Sequence, residues 1–418
     1  MEDGFGCEAT GKILRGLERS SSADFSARGT VTEHIPGFTS TGSKRPDTLF
    51  GSSEPDLPSR MTRSSGCRVW DEQGREYLDY IMGLGSVALG YAHPDVTRAV
   101  TLAAGNGVVG PLAPVLEEEV AGEICRLIPW IEQVRFLKTG AEAMAAAVRL
   151  ARVFTGRDHV LGCGYHGWLD WSQGAAGVPS ATRALYSELP FNDADRAREL
   201  IRSAGDRLAA VVFEPVIVAE PEAAWLEVLR EETTRSGAVL IVDEIKTICR
   251  LAVGGASERY GFRADLTVMG KALANGFPLA AVGGRREVMA GAMRTWISST
   301  LATEFVSLAA ALATLQVMVS RRVPAHLQQV GGGLLEGLHR LQREHPDLVT
   351  GVGGIPEMCF LHYADDTVSR SVTAACAHAG LLFKRSAYNF VSLAHDRGTV
   401  DRTLAVLAEA LSAVAKPA

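Results

Sequence analysis

The chain has little of what marks several protein classes. Its seven cysteines, at positions 7, 67, 125, 163, 249, 359 and 376, include no Cys-x-x-Cys pair. That excludes a disulfide scaffold and a clustered zinc site as organising features, and no metal is expected. Charge of one sign is also scarce: 42 Lys plus Arg against 48 Asp plus Glu leave a net charge of -6. Such a balance gives no support to nucleic-acid binding, and the pairs Arg285-Arg286 and Arg321-Arg322 read as solvated helix ends. No apolar run reaches the roughly 18 to 20 residues of a membrane-spanning helix. The first 30 residues hold no apolar signal core, so the expectation is no membrane role and a cytoplasmic location. What is present, 418 residues of which 47% are hydrophobic, suffices for a large core and more than one domain.

Residues 1–65 are rich in Ser, Thr, Gly and Pro and read as an N-terminal arm and irregular segment, with one helix expected near Gly11–Glu18. Cys67–Trp70 and Glu76–Tyr80 flank a turn at Gly74, a hairpin signal, and His93-Pro94 opens a helix. These fall in 66–114, expected to be the first part of a small domain. From 115 to 325 strands alternate with helices: Gln133–Phe136, His159–Leu161, Leu208–Phe213, Val239–Val242, Leu266–Met269 and Ala280–Val282 are apolar strands. Helical stretches at 116–128, 141–154, 194–203 and 222–236 separate several of them. Such alternation predicts an α/β fold with a mostly parallel central sheet and helices on both faces. A long helix is expected from Phe305 past Pro324 toward Arg343, with a break at Gly331-Gly332-Gly333. Residues 326–418 read as a smaller α+β domain, with helices at 367–379 and 400–415.

Two strand ends draw attention. Leu266–Met269 runs into Gly270-Lys271, and Val239–Val242 runs into Asp243-Glu244. In an open α/β sheet both tips lie at the carboxyl edge, where ligands bind. An acid and an amine held there match two needs of pyridoxal phosphate: a carboxylate that keeps the pyridine nitrogen protonated, and a lysine that forms the Schiff base. A surface lysine after a buried strand is the plainer alternative. Lys138-Thr139-Gly140-Ala141-Glu142 follows a strand and opens a helix, whose free N–H groups and dipole can hold a phosphate. Tyr165-His166-Gly167 follows the next strand, where an aromatic can stack on a flat ring. Ordinary surface aromatics are the alternative there. Cys163 and Cys249 fall nearby and read as buried structural thiols.

Together these motifs resemble the class III aminotransferases of the fold type I PLP-dependent transferases, and within them the glutamate-1-semialdehyde 2,1-aminomutase branch. Matching stretches run from His34-Ile-Pro-Gly37 to Phe390-Val-Ser-Leu-Ala-His395. They include Gly90-Tyr-Ala-His-Pro94, Arg149–Arg157, Glu214-Pro215 and Gly283-Gly-Arg-Arg286. The resemblance implies a PLP-dependent aminotransferase moving an amino group between an amino acid or amine donor and a carbonyl acceptor. An aminomutase-like intramolecular transfer, or another PLP reaction, is the alternative. It further implies that Lys271 binds the cofactor's aldehyde carbon, that Asp243 pairs with its ring nitrogen, and that Ile245 packs beneath the ring with Tyr165 above and His166 alongside. Gly140 and the backbone of Ala141 would hold the phosphate, and Glu214 would lie behind these contacts. Thr300 would reach the phosphate of the partner subunit in a homodimer.

The substrate side departs from the aminomutase pattern at Leu84, at Thr303-Glu304-Phe305 and across Lys384–Asn389. The branch's carboxylate-binding arginine falls near Lys44-Arg45, and Trp168 and Trp171 are expected to add apolar bulk. These changes imply a changed small-molecule substrate.

Overall fold

The computed structural model describes residues 34–415 apart from Ser53, Pro55 and Ala387. The helix expected near Gly11–Glu18 lies outside the described residues, as does most of the arm.

The N-terminal strands β1 (Met61–Ser65), β2 (Arg68–Asp71) and β3 (Glu76–Asp79) form an antiparallel meander. The central sheet follows: β4 (Gln133–Leu137), β5 (His159–Cys163), β6 (Tyr186–Glu188), β7 (Leu208–Phe213), β8 (Val239–Asp243), β9 (Leu266–Met269) and β10 (Ala280–Gly284). Their spatial order is β4-β10-β9-β8-β7-β5-β6. Strands β5 to β9 are mutually parallel, while β10 runs antiparallel to both of its neighbours, β4 and β9. The carboxyl ends of β4, β5, β7, β8 and β9 therefore open on one edge, and the fold is the expected fold type I architecture.

Residue type explains why this sheet is central. β7 and β8 are buried along their whole length, and their side chains alternate between two cores. Ala210, Val212, Val239 and Ile241 enter one, while Val211, Phe213, Leu240 and Val242 enter the other. An alternation that is apolar on both faces is what a strand covered twice requires. One cover is the helix Gly140–Thr155 (α1), which buries Ala143, Met144, Ala147, Val148, Leu150 and Ala151. Its alanines let it approach the sheet closely, so a bulkier side chain at Ala147 should overpack the layer by about 1–3 kcal/mol. The other cover comes from Ala194–Ala204 (α2) and Ala223–Ser236 (α3), which supply Ile201, Trp225 and Leu229.

The remaining strands are β11 (Val349–Ile355), β12 (Met358–Tyr363), β13 (Leu381–Leu382) and β14 (Asn389–Phe390). β13 joins β3 in parallel, and β11-β12-β14 make a third sheet. The helices Asp366–His378 and Arg397–Ala415 accompany them, as expected.

Two expectations require correction. The long helix beyond residue 305 is two helices, Phe305–Ser320 (α4) and Val323–Glu344 (α5), bent by 69°. Arg322 takes the left-handed conformation (φ 47°) at the break, and Pro324 sits in the first turn of α5, where its missing N–H costs nothing. The glycine run at 331–333 does not break α5. A Cβ on Gly331 would lie 1.8 Å from the Pro356 carbonyl oxygen, so the glycine admits the β11–β12 turn against the helix. Strands β1 and β6 carried no signal: β1 is polar and exposed, and β6 is a three-residue edge. Among the described residues no single helix is long and apolar enough to cross a membrane, though the bent α4–α5 pair passes that test jointly.

Candidate active site

Five strand ends deliver side chains to the carboxyl edge. From β9 comes Lys271, directly after an extended Gly270 and itself at φ 46°. A left-handed lysine is strained by about 1–3 kcal/mol, and such strain persists only where surrounding structure enforces it. Part of that enforcement is visible four residues on. Asn275, also left-handed, accepts from Leu89 N at 2.9 Å and donates to the Gly90 carbonyl at 3.0 Å, tying the segment to the 86–91 loop. Burial brings the Lys271 amine down to about 8, with the nearby Lys246 cation adding to the effect and Glu214 and Asp243 opposing it.

Asp243 ends β8, only 3% exposed. Its Oδ1 accepts the Ile245 N–H at 3.1 Å, and its Oδ2 lies 2.9 Å from His166 Nδ1. His166 is buried, is stacked on Trp171 with ring centroids 5.9 Å apart, and has no partner for Nε2 among the described residues. The resemblance put His166 alongside the ring. Its position against Asp243 makes it an orienting group for the carboxylate. Trp171, expected to add bulk on the cofactor face, is instead buried behind His166, whereas Trp168 and Tyr165 are 73% and 66% exposed.

The neighbouring Glu244 does a different job. Fully buried, it accepts from Ala256 N, Ser257 N and Ser257 Oγ, and Thr247 Oγ1 also donates to it. Adjacent carboxylates at one strand end thus separate into one that faces the site and one that fixes the loop after it.

The β4–α1 junction leaves free donors at a helix start. Thr139 caps α1 by accepting from Glu142 N, and Glu142 reaches back to the N–H groups of Thr139 and Lys138. This capping box leaves the Gly140 and Ala141 N–H groups without partners among the described residues. A Cβ on Gly140 would lie 2.6 Å from Ile245 Cδ1, and one on Gly167 would lie 2.6 Å from Ala141 Cβ. The glycines therefore bring Ile245 and the 165–167 turn onto the helix terminus. Thr300 is exposed in the loop before α4.

Two features escaped the reading of the sequence. Lys138 Nζ lies 2.7 Å from Glu304 Oε1, both largely buried, and Glu304 also caps α4 through the Val306 and Ser307 N–H groups. Lys246 Nζ lies 3.0 Å from Glu214 Oε1, while Glu214 Oε2 accepts the Tyr165 N–H at 2.9 Å. The signals were available as a lysine beside the proposed phosphate turn and another three residues after Asp243.

These residues fit pyridoxal phosphate. Two unpartnered N–H groups at a helix start suit its phosphate, a buried carboxylate suits its pyridinium, and a lysine of lowered proton affinity suits its aldehyde.

Comparisons with known proteins agree. The family described as "Aminotransferase class-III" matches residues 50–414. The glutamate-1-semialdehyde 2,1-aminomutase of Thermomicrobium roseum is 35% identical over 397 residues, covering 86% of this chain and 92% of that protein. The FumI protein of Sphingopyxis sp. MTA144, solved in its PLP internal aldimine form, superposes with TM-score 0.86 at 25% identity, covering 97% of this chain and 96% of that one. A β-phenylalanine aminotransferase from Variovorax paradoxus superposes with TM-score 0.82 at 26% identity, covering 97% and 94%. The chain belongs to the class III aminotransferases, PLP-dependent enzymes of fold type I.

Proposed function

We propose that the chain is an aminotransferase that takes an amino group from an amino acid or amine donor and delivers it to a separate carbonyl acceptor. The observation that carries this reading is the pair of adjacent strand ends, Asp243 and Lys271, one fixed by His166 and the other held in a strained conformation at lowered proton affinity.

When bound, the cofactor supplies the electron sink for the carbon from which a proton is removed. The chain supplies the rest. Asp243 would hold positive charge at the ring nitrogen, and His166 keeps the carboxylate aimed. Gly140 and Ala141 would receive the phosphate, with Ile245 and Tyr165 the residues that would hold the ring. Lys271 Nζ would take the proton from the substrate carbon and then give it back, serving as both general base and general acid.

The changed substrate side supports transfer to a second molecule. Glu304 is committed to Lys138 and to capping α4. Asn389 closes a turn on the Lys384 backbone, and Arg385 is engaged by Asp366. Among the cations expected to meet a substrate carboxylate, Arg45 keeps a buried Nε without a partner, and the Lys384 ammonium is without an ion-pair partner among the described residues, so these two are the candidates. The alternative is intramolecular amino transfer, favoured by the 35% identity to a glutamate-1-semialdehyde 2,1-aminomutase.

The reading extends to a cytoplasmic homodimer in which Thr300 reaches the partner's phosphate. Support comes from the adjoining segments 108–115 and 293–305, joined by the Phe305 N–H to Val108 carbonyl bond. There Leu112, Val115, Met293 and Trp296 are all more than 75% exposed. The proposed division of the chain keeps 115–325 as the cofactor-binding domain.

The test is a screen of amines that convert the bound cofactor to its amino form, with products identified by mass. Net amine exchange with release of a keto product supports transfer. Isomerisation of glutamate semialdehyde without exchange promotes the aminomutase.

A further inference from the structure

A second lysine stands in the reaction site, and the site's cofactor-binding groups give it no task. Lys246 lies three residues beyond Asp243 and Lys271 three beyond Val268, the register partner of Asp243 on the parallel neighbour β9, so the two lysines leave adjacent strands at the same level. The Lys246 side chain is only 11% exposed. Two contacts hold it. Its ammonium meets Glu214 Oε1 at 3.0 Å and lies 4.5 Å from the centre of the Tyr388 ring. Glu214 is itself fixed, because its other oxygen accepts the Tyr165 N–H and its side chain fills the space left by Gly164. A lysine pinned between a carboxylate and an aromatic face is a charge of defined position.

We propose that Lys246 is a positioning residue for the reaction: held by Glu214 and Tyr388, it sets a fixed positive charge at the strand end next to that of Lys271 and favours the neutral, nucleophilic form of that amine. The proposal deepens the aminotransferase reading and rests on it for the role of Lys271.

An amine attacks a carbonyl only through its lone pair, so a protonated Lys271 is idle both in capturing the cofactor and in taking a proton from substrate. Several charged groups act on it. Glu214, from the end of β7, and Asp243, from the end of β8, favour the ammonium. Lys246 and the buried Arg250 oppose it, and burial opposes it most strongly. The uncharged Tyr388 and the exposed Tyr165 complete the surroundings of the pair. Without Lys246, two carboxylates would face Lys271 with only Arg250 and burial against them. Lys246 therefore acts twice, by direct repulsion and by neutralising Glu214. Glu214 in turn keeps Lys246 from simply expelling the proton altogether, so the pair sets an intermediate affinity.

The experiment is competitive acetylation of the full-length chain freed of pyridoxal phosphate. Labelling of Lys271 is followed by peptide mass mapping across pH, and each variant is checked for cofactor reloading. The wild-type midpoint is expected at about 8. Lys246→Met should raise it by about one pH unit or more, the usual effect of an uncompensated opposite charge at this range. Lys246→Arg should leave it near wild type, and Glu214→Gln should lower it. The double variant Lys246→Met/Glu214→Gln should fall between the two single changes. A midpoint unchanged in a Lys246→Met chain that still reloads cofactor overturns the proposal. If that variant does not fold, an unchanged or raised midpoint in Glu214→Gln overturns it equally. No substrate enters the measurement, so failure of the amino-transfer reading would appear in the amine screen and leave these midpoints untouched.

Discussion

His166 and Asp243 meet across two strand ends, Nδ1 to Oδ2 at 2.9 Å, with both side chains almost wholly removed from water. The contact leaves Asp243 one orientation, because its other oxygen already accepts the Ile245 N–H. A carboxylate that must hold a positive charge at a ring nitrogen gains from such fixing, since no reorganisation is needed when charge develops.

Replacing His166 tests that role apart from cofactor capture. His166→Ala should retain pyridoxal phosphate and lose turnover by about 10- to 100-fold, as removal of an orienting partner commonly does. Asp243→Asn should lose more, because a neutral amide replaces a charge-assisted contact. Steady-state kinetics with cofactor content measured in parallel check both. A His166→Ala protein with full turnover would remove the orienting role.

The Lys138–Glu304 pair makes a prediction about stability. Removing one partner of a largely buried ion pair costs about 3–5 kcal/mol by leaving the other charge uncompensated. Glu304→Ala also loses the cap of α4, worth about 0.5–2 kcal/mol. Urea unfolding should therefore rank Glu304→Ala below Lys138→Met. The double variant should be more stable than the sum of the single losses predicts. Additive losses would show that the two side chains act independently.

Asp79 gives a pH signature. It is buried, accepts from Ile81 N, Met82 N and Tyr91 Oη, and burial raises its carboxyl to about 6 from 3.8. The folded state thus keeps a proton that the unfolded chain has already released. Stability from this group is full below the unfolded value and is lost as pH rises through the folded one. Asp79→Asn removes the dependence. Relative to wild type, the variant should gain about 3 kcal/mol between pH 3.5 and 7, at 1.36 kcal/mol per unit. The comparison is made by urea midpoints at both ends of the range, and parallel wild-type and variant curves would contradict it.

How much of this was legible in the sequence depended on how local the signal was. The buried strands β7, β8 and β9 announced themselves because each is a short, mostly apolar run with a charged residue at or just beyond its end. The α1 terminus did so because its cap and glycine are contiguous. Gly331 misled, since its meaning lies in the Pro356 carbonyl pressed against it 25 residues later. The break at Arg322 was equally hidden, because nothing in an arginine's chemistry marks a left-handed turn. His166, Lys246 and Glu304 were each named or visible in sequence, yet their partners lie far away in the chain. Spacing cannot reveal such pairs. Trp171 looked like pocket wall and proved to be core, because β-sheet neighbours rather than loop position decide its burial.

The central claim is that Lys271, and no other lysine, carries the cofactor. Borohydride reduction of the holoenzyme followed by peptide mass mapping tests it directly. The account predicts a phosphopyridoxyl group on the peptide containing Lys271 and none on those containing Lys138, Lys246 or Lys384, whereas stoichiometric label on any of these three would contradict it.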